Sequence, residues 1–230
     1  MEKNILIKTQ GLVKKYPVGG GHFIALKGID LTVNAGEFVG LVGPSGSGKT
    51  TLLNIIGALD APSEGKVEVL GKDLASLTGA QAAKHRSEFL GFIFQTYNLL
   101  PVYTVFENVE FPLLLLGKTR AERKDMVMQA LEWVGIADKT NSRPKMLSGG
   151  ESQRVAIARA MVKEPKLVLA DEPTANLDAK NSHHILKTME KLNQELGTTF
   201  MFATHDDKVI SYLKRKVTLV DGGIQSDETS

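Results

Sequence analysis

The strongest chemical signal in the chain is Gly43-Pro44-Ser45-Gly46-Ser47-Gly48-Lys49-Thr50, a complete G-x-x-x-x-G-K-T pattern. Glycines at this spacing let successive backbone N–H groups close around a polyphosphate, and a helix starting at Lys49 adds the positive end of its dipole. Lys49 is suited to neutralise β- and γ-phosphates, and the Thr50 hydroxyl to ligate Mg²⁺. The plainer reading is a glycine-rich turn with a surface lysine. Against it, the pattern sits between a strand-like and a helix-like run, which is the context the motif requires. A second signal is Leu167-Val168-Leu169-Ala170-Asp171-Glu172, where an apolar run ends in adjacent carboxylates. In doubly wound sheets ligands collect at the carboxyl ends of strands. Asp171 is placed to hold Mg²⁺ through water, and Glu172, pointing the other way, to take a proton from an attacking water. The plain alternative is a solvated acidic pair. A kinase needs in addition a group that positions an acceptor hydroxyl, and none is identifiable.

The third signal is Leu147-Ser148-Gly149-Gly150-Glu151-Ser152-Gln153-Arg154. Ser148 with Glu151 reads as an S-x-x-E capping box opening a helix that runs through Met161. Two glycines behind the capping serine also expose backbone N–H groups, a second helix end able to bind an anion. If both ends serve one nucleotide, two chains could supply one each.

Among the elements that carry these residues, Ile5 to about Val33 reads as strands joined at Pro17-Val18-Gly19-Gly20-Gly21, an antiparallel β edge. Residues 37–42 form a short apolar run fit for a strand buried on both faces. A helix is expected from Lys49 to about Leu59, and an alternating strand over 66–70. From about Tyr97 to Val162 the spacing turns helical, with Met126, Ala130, Trp133 and Val134 on one face, so this stretch reads as a helical insertion. Buried strands follow at 166–170 and 199–204. Between them Ile185, Leu186, Met189, Leu192 and Leu196 line an amphipathic helix. Strand, helix, strand in this order implies a parallel sheet. There is no internal repeat and no obvious linker.

Composition bounds the function. The 230 residues hold 28 Lys+Arg against 26 Asp+Glu, a net charge of +2, with 42% hydrophobic residues and no cysteine. The near balance argues against a general nucleic-acid binder. The missing cysteines exclude disulfides, thiol catalysis and cysteine-held metals. Apolar runs such as Leu113 to Leu116 fall far short of the ~20 residues a membrane span needs. The adjacent His183 and His184 read as surface residues rather than metal ligands.

The order of these motifs resembles the ATP-binding-cassette (ABC) ATPases, and the match covers nearly the whole chain. Walker A is 43–50, Walker B 167–172, the signature LSGGESQR 147–154, and DEPTANLD 171–178. Gln95 in Phe92-Ile93-Phe94-Gln95 is similar to the family's Q-loop glutamine, and His205 in Ala203-Thr204-His205-Asp206 to its switch histidine. Tyr16 in Lys14-Lys15-Tyr16-Pro17 is similar to the aromatic that stacks on adenine; alone it would read as an edge-strand aromatic. The resemblance implies an α/β P-loop NTPase of the ABC ATPase fold, with a parallel-sheet core, an antiparallel β subdomain and a helical subdomain. The whole chain, 1–230, then forms one domain, with about 1–95 and 163–230 as β subdomain plus nucleotide core and about 96–162 as helical subdomain.

It further implies a working dimer with two Mg-ATP sandwiched head to tail. The ATP-binding set is Tyr16, Gly43, Pro44, Ser45, Gly46, Ser47, Gly48, Lys49, Thr50 and Thr51 of one chain with Ser148, Gly149 and Gly150 of the other. Glu172 is then general base, His205 contacts the γ-phosphate, and Gln95 senses Mg²⁺ and water. Thr50, Gln95 and Asp171 attend the metal, and Asp178 crosses the dimer interface. Glu151 departs from the polar residue usual there, and the capping box gives its carboxylate somewhere else to point. Residues 92–101 with Thr104-Val105-Phe106-Glu107-Asn108-Val109 resemble the LolD/MacB/FtsE group of lipoprotein-releasing, macrolide-export and cell-division cassettes. The chain closes soon after Asp221-Gly222-Gly223, leaving no room for a fused membrane or regulatory domain. The expected partner is therefore a separate integral-membrane permease, at the cytoplasmic face of the inner membrane, with export or lipoprotein release favoured over uptake. An apolar cluster at Tyr97, Leu99, Leu100, Pro101 and Val102 marks its docking surface. The rival readings are a soluble ABC ATPase of DNA repair or translation, and a P-loop kinase or GTPase, which has no use for the signature.

Overall fold

The computed structural model describes residues 4–229. Strands β1 (Ile5–Val18) and β2 (Gly21–Asn34) pair antiparallel across the Gly19-Gly20 turn. With β4 (Glu64–Val69) and β5 (Lys72–Asp73) they form a sheet of order β2-β1-β4-β5. The second sheet contains β3 (Phe38–Val42), β6 (Leu90–Ile93), β7 (Leu167–Asp171), β8 (Thr199–Thr204), β9 (Arg215–Val220) and β10 (Gly223–Thr229), in the order β10-β9-β3-β8-β7-β6. Its pairings are parallel except for the edge strand β10.

Every residue of β3 and β8 is buried, because both faces of this sheet are covered. The period of two divides them between two cores. Met201, Ala203, Leu167 and Leu169 join one cluster with α1 (Lys49–Ile56) and the antiparallel sheet. Phe200, Phe202, Val168 and Ala170 join the other with α3 (Val105–Leu115), α4 (Arg120–Trp133), α5 (Gly149–Met161) and α6 (Ala179–Leu196). Phe38 packs between Phe200 and Phe202, with ring centroids 5.6 and 4.6 Å away. This double burial fixes the carboxyl ends of β3, β7 and β8, where the candidate chemistry lies.

Several expectations need correction. Helix α1 stops at Ile56, not near Leu59, because Gly57 caps it and Ala58 turns left-handed at φ 53°. Gly57 lies so close to the parallel sheet that a Cβ would come 2.7 Å from the Phe92 ring. Strand β4 starts two residues earlier than expected and ends at Val69, since Leu70 also takes a positive φ. Helix α2 (Gly79–Phe89), strands β6, β9 and β10, and the short α7 (Asp207–Ile210) were not foreseen as elements. The apolar cluster expected at 97–102 is split: Leu99 packs against the helical core, while Leu100, Pro101 and Val102 are exposed.

Candidate active site

The phosphate loop leaves the sheet at Val42 and must turn at once into α1. Gly43 makes that turn at φ 142°, and a Cβ there would come 2.1 Å from the Leu219 carbonyl of β9. Gly48, at φ 102°, precedes the helix and would meet the Ala25 carbonyl at 2.8 Å. Neither position tolerates a side chain, so the loop's N–H groups stay accessible. Lys49 is buried, and its Nζ donates to the carbonyls of Gly43 (2.8 Å) and Pro44 (2.9 Å). Burial lowers its pKa, opposed by the nearby Glu172 and Asp171 carboxylates. The buried Ser47 Oγ finds no partner among the described residues. Thr51 lies on the same helix, half-buried.

The carboxylates approach from β7. Thr50 Oγ1 donates to both oxygens of Asp171, at 3.2 and 3.1 Å. Burial raises the Asp171 pKa, aided by Glu172 and opposed by the Thr50 bond. Glu172 takes a left-handed φ of 45°, a strained setting for a non-glycine residue and one typical of working sites. It is held by its own N–H donating to Ala203 O at 2.9 Å. Its Oε2 accepts from Thr204 Oγ1 at 3.0 Å, and its Oε1 lies 2.5 Å from His205 Nδ1. The two adjacent carboxylates thus separate, one to Thr50 and one to His205, the left-handed turn at Glu172 following directly on the end of β7.

The signature segment sits elsewhere. Ser148 Oγ accepts from Glu151 N at 3.3 Å and Glu151 Oε2 accepts from Ser148 N at 2.8 Å, closing the expected capping box on α5. Ser148 and Gly149 are exposed. Helix α5 packs chiefly on α3, α4, α6 and β6, whereas α1 packs on β2, β4, β7 and β8. The two glycine-led helix ends are therefore not brought together within one chain.

The sequence profile of the ABC transporter family matches residues 26–175, which include all of the phosphate loop, the signature and the β7 carboxylates. The chain belongs to the ABC transporter family. As a cassette it is similar to the lipoprotein-releasing system ATP-binding protein LolD of Geobacter metallireducens, 46% identical over 96% of this chain and 99% of that protein. It also matches the macrolide export ATP-binding/permease protein MacB of Rhodopirellula baltica, 45% identical over 96% of this chain but only 33% of that longer protein. Among solved structures, the dimeric MJ0796, a bacterial ABC transporter cassette, superposes with a TM-score of 0.91 at 40% identity, covering 97% of this chain and 98% of that one. A second MJ0796 dimer, in a post-hydrolysis state with ADP and Pi, superposes at 0.90 and 39% identity, over 97% of this chain and 98% of that one. The chain is thus an ATP-binding cassette and an ATPase.

The remaining candidate residues are spread around this centre. Gln95 is exposed, and its carbonyl accepts from Asn176 Nδ2 at 2.9 Å. No hydrogen bond joins its side chain to Thr50 or Asp171 among the described residues. Asp178 is exposed and caps α6, accepting from Asn181 N at 2.8 Å and Asn181 Nδ2 at 2.7 Å. Tyr16 is half-buried on β1, its hydroxyl donating to Asp60 Oδ2 at 2.8 Å. His183 and His184 are exposed on α6 as expected. Three residues the motif reading passed over tie the centre together. Thr204 holds Glu172, Asn176 holds the Gln95 backbone, and Gln153 of α5 donates to Pro173 O at 2.7 Å, beside Glu172. Only their places inside or next to the motifs could have pointed to them.

Proposed function

We propose that this cassette drives a separate membrane permease of the lipoprotein-releasing or macrolide-exporting kind, from the cytoplasmic face of the inner membrane, by closing as a pair around two Mg-ATP. The observation that carries the pairing is the separation of α1 from α5. A chain that keeps its two anion-binding helix ends apart completes a phosphate site only with a second copy. Among the described residues no helix is long and apolar enough to cross a membrane.

Triphosphate would lie in the loop from Gly43 to Thr50, its charge met by Lys49 and the α1 N-terminus, with Ser148, Gly149 and Gly150 of the second copy closing over it. The residues fit Mg²⁺: a hydroxyl and a carboxylate already share a hydrogen bond at Thr50 and Asp171. That hard-oxygen set suits a cation completed by substrate phosphates. No group of three or more His, Cys, Asp or Glu among the described residues forms a cage of its own. The metal, when bound, supplies charge neutralisation on the phosphates. Glu172 takes the proton of the attacking water, its carboxylate aimed by its contacts with Thr204 and His205. His205 is exposed and reaches the γ-phosphate from the other side, while Gln95 reports closure toward the helical region and Asp178 meets the second copy.

For the permease, the groove between α2, β6 and α3 has a volume of about 490 Å³ and is lined by Phe94, Leu100, Phe111 and Leu115. Leu100, Phe111 and Leu115 are exposed, as is Val102 nearby, and an apolar patch of this kind serves docking. The test of the chemistry is Glu172→Gln. Turnover should fall ~10²- to 10⁴-fold while ATP binding persists, and an ATP-bound dimer should accumulate on gel filtration. Turnover at the parent rate would remove Glu172 from the role of base.

A further inference from the structure

Tyr16 does not stand free on its strand. Its hydroxyl donates to Asp60 Oδ2 at 2.8 Å, and Lys14, two residues back on the same face of β1, donates from Nζ to Asp60 Oδ1 at 2.6 Å and to Ala61 O at 2.8 Å. Asp60 Oδ1 also accepts from Ala61 N at 2.7 Å. Lys14 is buried to 9% exposure, and its ammonium sits 4.9 Å from the centroid of the Tyr16 ring. A lysine buried this deeply costs free energy unless it is paired, so the arrangement needs a reason.

The loop that carries Asp60 gives one. It follows directly on α1, and Leu59 N and Asp60 N both donate to the carbonyl of Asn54 within that helix, at 2.8 and 3.3 Å. On its other side Ser63 N donates to Val13 O at 2.8 Å, and Ser63 Oγ accepts from Lys15 N at 2.9 Å. Asp60 therefore links the helix that begins at the phosphate loop to the strand that carries the aromatic. Burial works to raise its pKa, but the bonds from Lys14, Tyr16 and Ala61 hold it below the ordinary carboxylate value, so it serves as a fixed, ionised acceptor.

We propose that Asp60 and Lys14 are positioning residues that lock the Tyr16 ring, at a set distance from the phosphate loop, as the stacking face for the adenine base. This rests on the reading of Tyr16 as the base-stacking residue. The anchored hydroxyl removes the ring's freedom before nucleotide arrives, so less ordering is left to do on binding. Lys14 covers one face by a cation–π contact, and the base takes the other. Because Asp60 hangs on α1, base and triphosphate are recognised by parts of one rigid unit.

The test uses Tyr16→Phe, Tyr16→Ala and Asp60→Asn in the full chain, titrated calorimetrically with ATP and with inorganic tripolyphosphate, which has no base. Tyr16→Phe keeps the ring and the buried Lys14–Asp60 pair and removes only the anchor, so folding is not at risk. ATP affinity should fall ~2- to 10-fold for Tyr16→Phe and Asp60→Asn, and ~10- to 100-fold for Tyr16→Ala. Tripolyphosphate should bind all three like the parent, and in turnover the effect should fall on KM rather than kcat. If Tyr16→Ala loses ATP affinity while Tyr16→Phe and Asp60→Asn do not, stacking stands and the positioning role is overturned. If Tyr16→Ala binds ATP like the parent, the stacking reading itself fails. Loss of tripolyphosphate affinity in Tyr16→Phe would mean a general disturbance of the phosphate loop and would also overturn the proposal.

Discussion

Helices α1 and α5 both begin on glycine-rich sequence, yet their first turns are built in opposite ways. Of the seven α-helices among the described residues, six start with a side chain that accepts a bond from the helix's own backbone: Thr78, Thr104, Thr119, Ser148, Asp178 and Asp206. Helix α1 alone has none; its N-cap is Gly48 in a left-handed conformation, followed by Lys49. Any helix leaves its first N–H groups without internal partners. Six helices satisfy some of these with the capping side chain, and α1 satisfies none of them in that way. Helix α5 instead seals part of its end with Ser148 and Glu151 and places a carboxylate there, with Lys139 Nζ 3.7 Å away. The difference teaches a division of labour. On the proposed function, the α1 end binds phosphate on its own, and the α5 end adds a closing contact once the nucleotide is already held by the other chain.

The largest effect that could break this contrast is on nucleotide affinity. Lys49→Ala removes the one cation buried beside the open helix end and should weaken ATP binding ~10²- to 10³-fold. Ser148→Ala should leave the first ATP-binding step of the unpaired chain within about twofold, because α5 does not border that chain's own loop. Calorimetric titration of dilute protein reads both. An equal loss in the two variants would mean that the ends do not divide the work.

A smaller effect sharpens the same contrast through stability. Ser148→Ala takes the cap from α5 and should cost about 1 kcal/mol. For a chain of this size that lowers Tm by about 2–4 °C. The closing contact should suffer with it, so ATP-driven dimerisation of Ser148→Ala in the Glu172→Gln background should need more ATP than Glu172→Gln alone. A parent-like melt would show that the Glu151 half of the box suffices to hold the helix end.

The uneven legibility of the sequence follows the same division. The phosphate loop, the β7 carboxylates and the capping box were readable because each is a contiguous run whose residues meet locally. Even the outward turn of Glu151 followed from its three-residue spacing to Ser148. Helix α2 was not, since of its eleven residues only His85 is buried and the apolar stripe that betrays a helix is missing. Strand β6 is four residues long and hides beneath the Q-loop motif, and β10 pairs at an exposed edge where alternation is weak. Contacts between distant positions leave no local trace. Tyr16 and Asp60 are 44 residues apart, Thr204 and Glu172 are 32 apart, and only the crossing of strands brings them together. The same holds for the split of residues 97–102, where composition showed an apolar cluster but not that Leu99 turns inward.

The smallest effect is a pH dependence confined to the capped side. Helices α3, α4 and α5 each close with a glutamate three residues past the cap, and these carboxyls all lie below their ordinary value. The bond from the Ser148 backbone is the leading cause for Glu151, that from the Thr104 backbone for Glu107, and that from the Thr119 hydroxyl for Glu122, which is held at about 2. A carboxyl whose folded pKa is depressed stabilises the fold in full above the unfolded value near 4.5, and loses that contribution as pH falls toward about 2. Helix α1 has no acidic residue in its first turn, and the carboxyl that faces it, Asp171 bonded to Thr50, has its pKa raised by burial, so its protonation on acidification does not weaken the fold. Amide protection in the first turns of α3, α4 and α5 should therefore drop through this window ahead of that in α1. Glu122→Gln keeps an N3 side chain able to accept the cap bond but carries no proton to gain. Its Tm should start at or slightly below the parent's above pH 4.5, and the gap should close as the parent's own glutamate protonates. Because Glu122 is exposed to solvent the difference is small, and its sign is the informative part. A gap that widens on acidification, or protection in α1 that falls together with the rest, would mean that the caps do not set how the two sides of the molecule respond to acid.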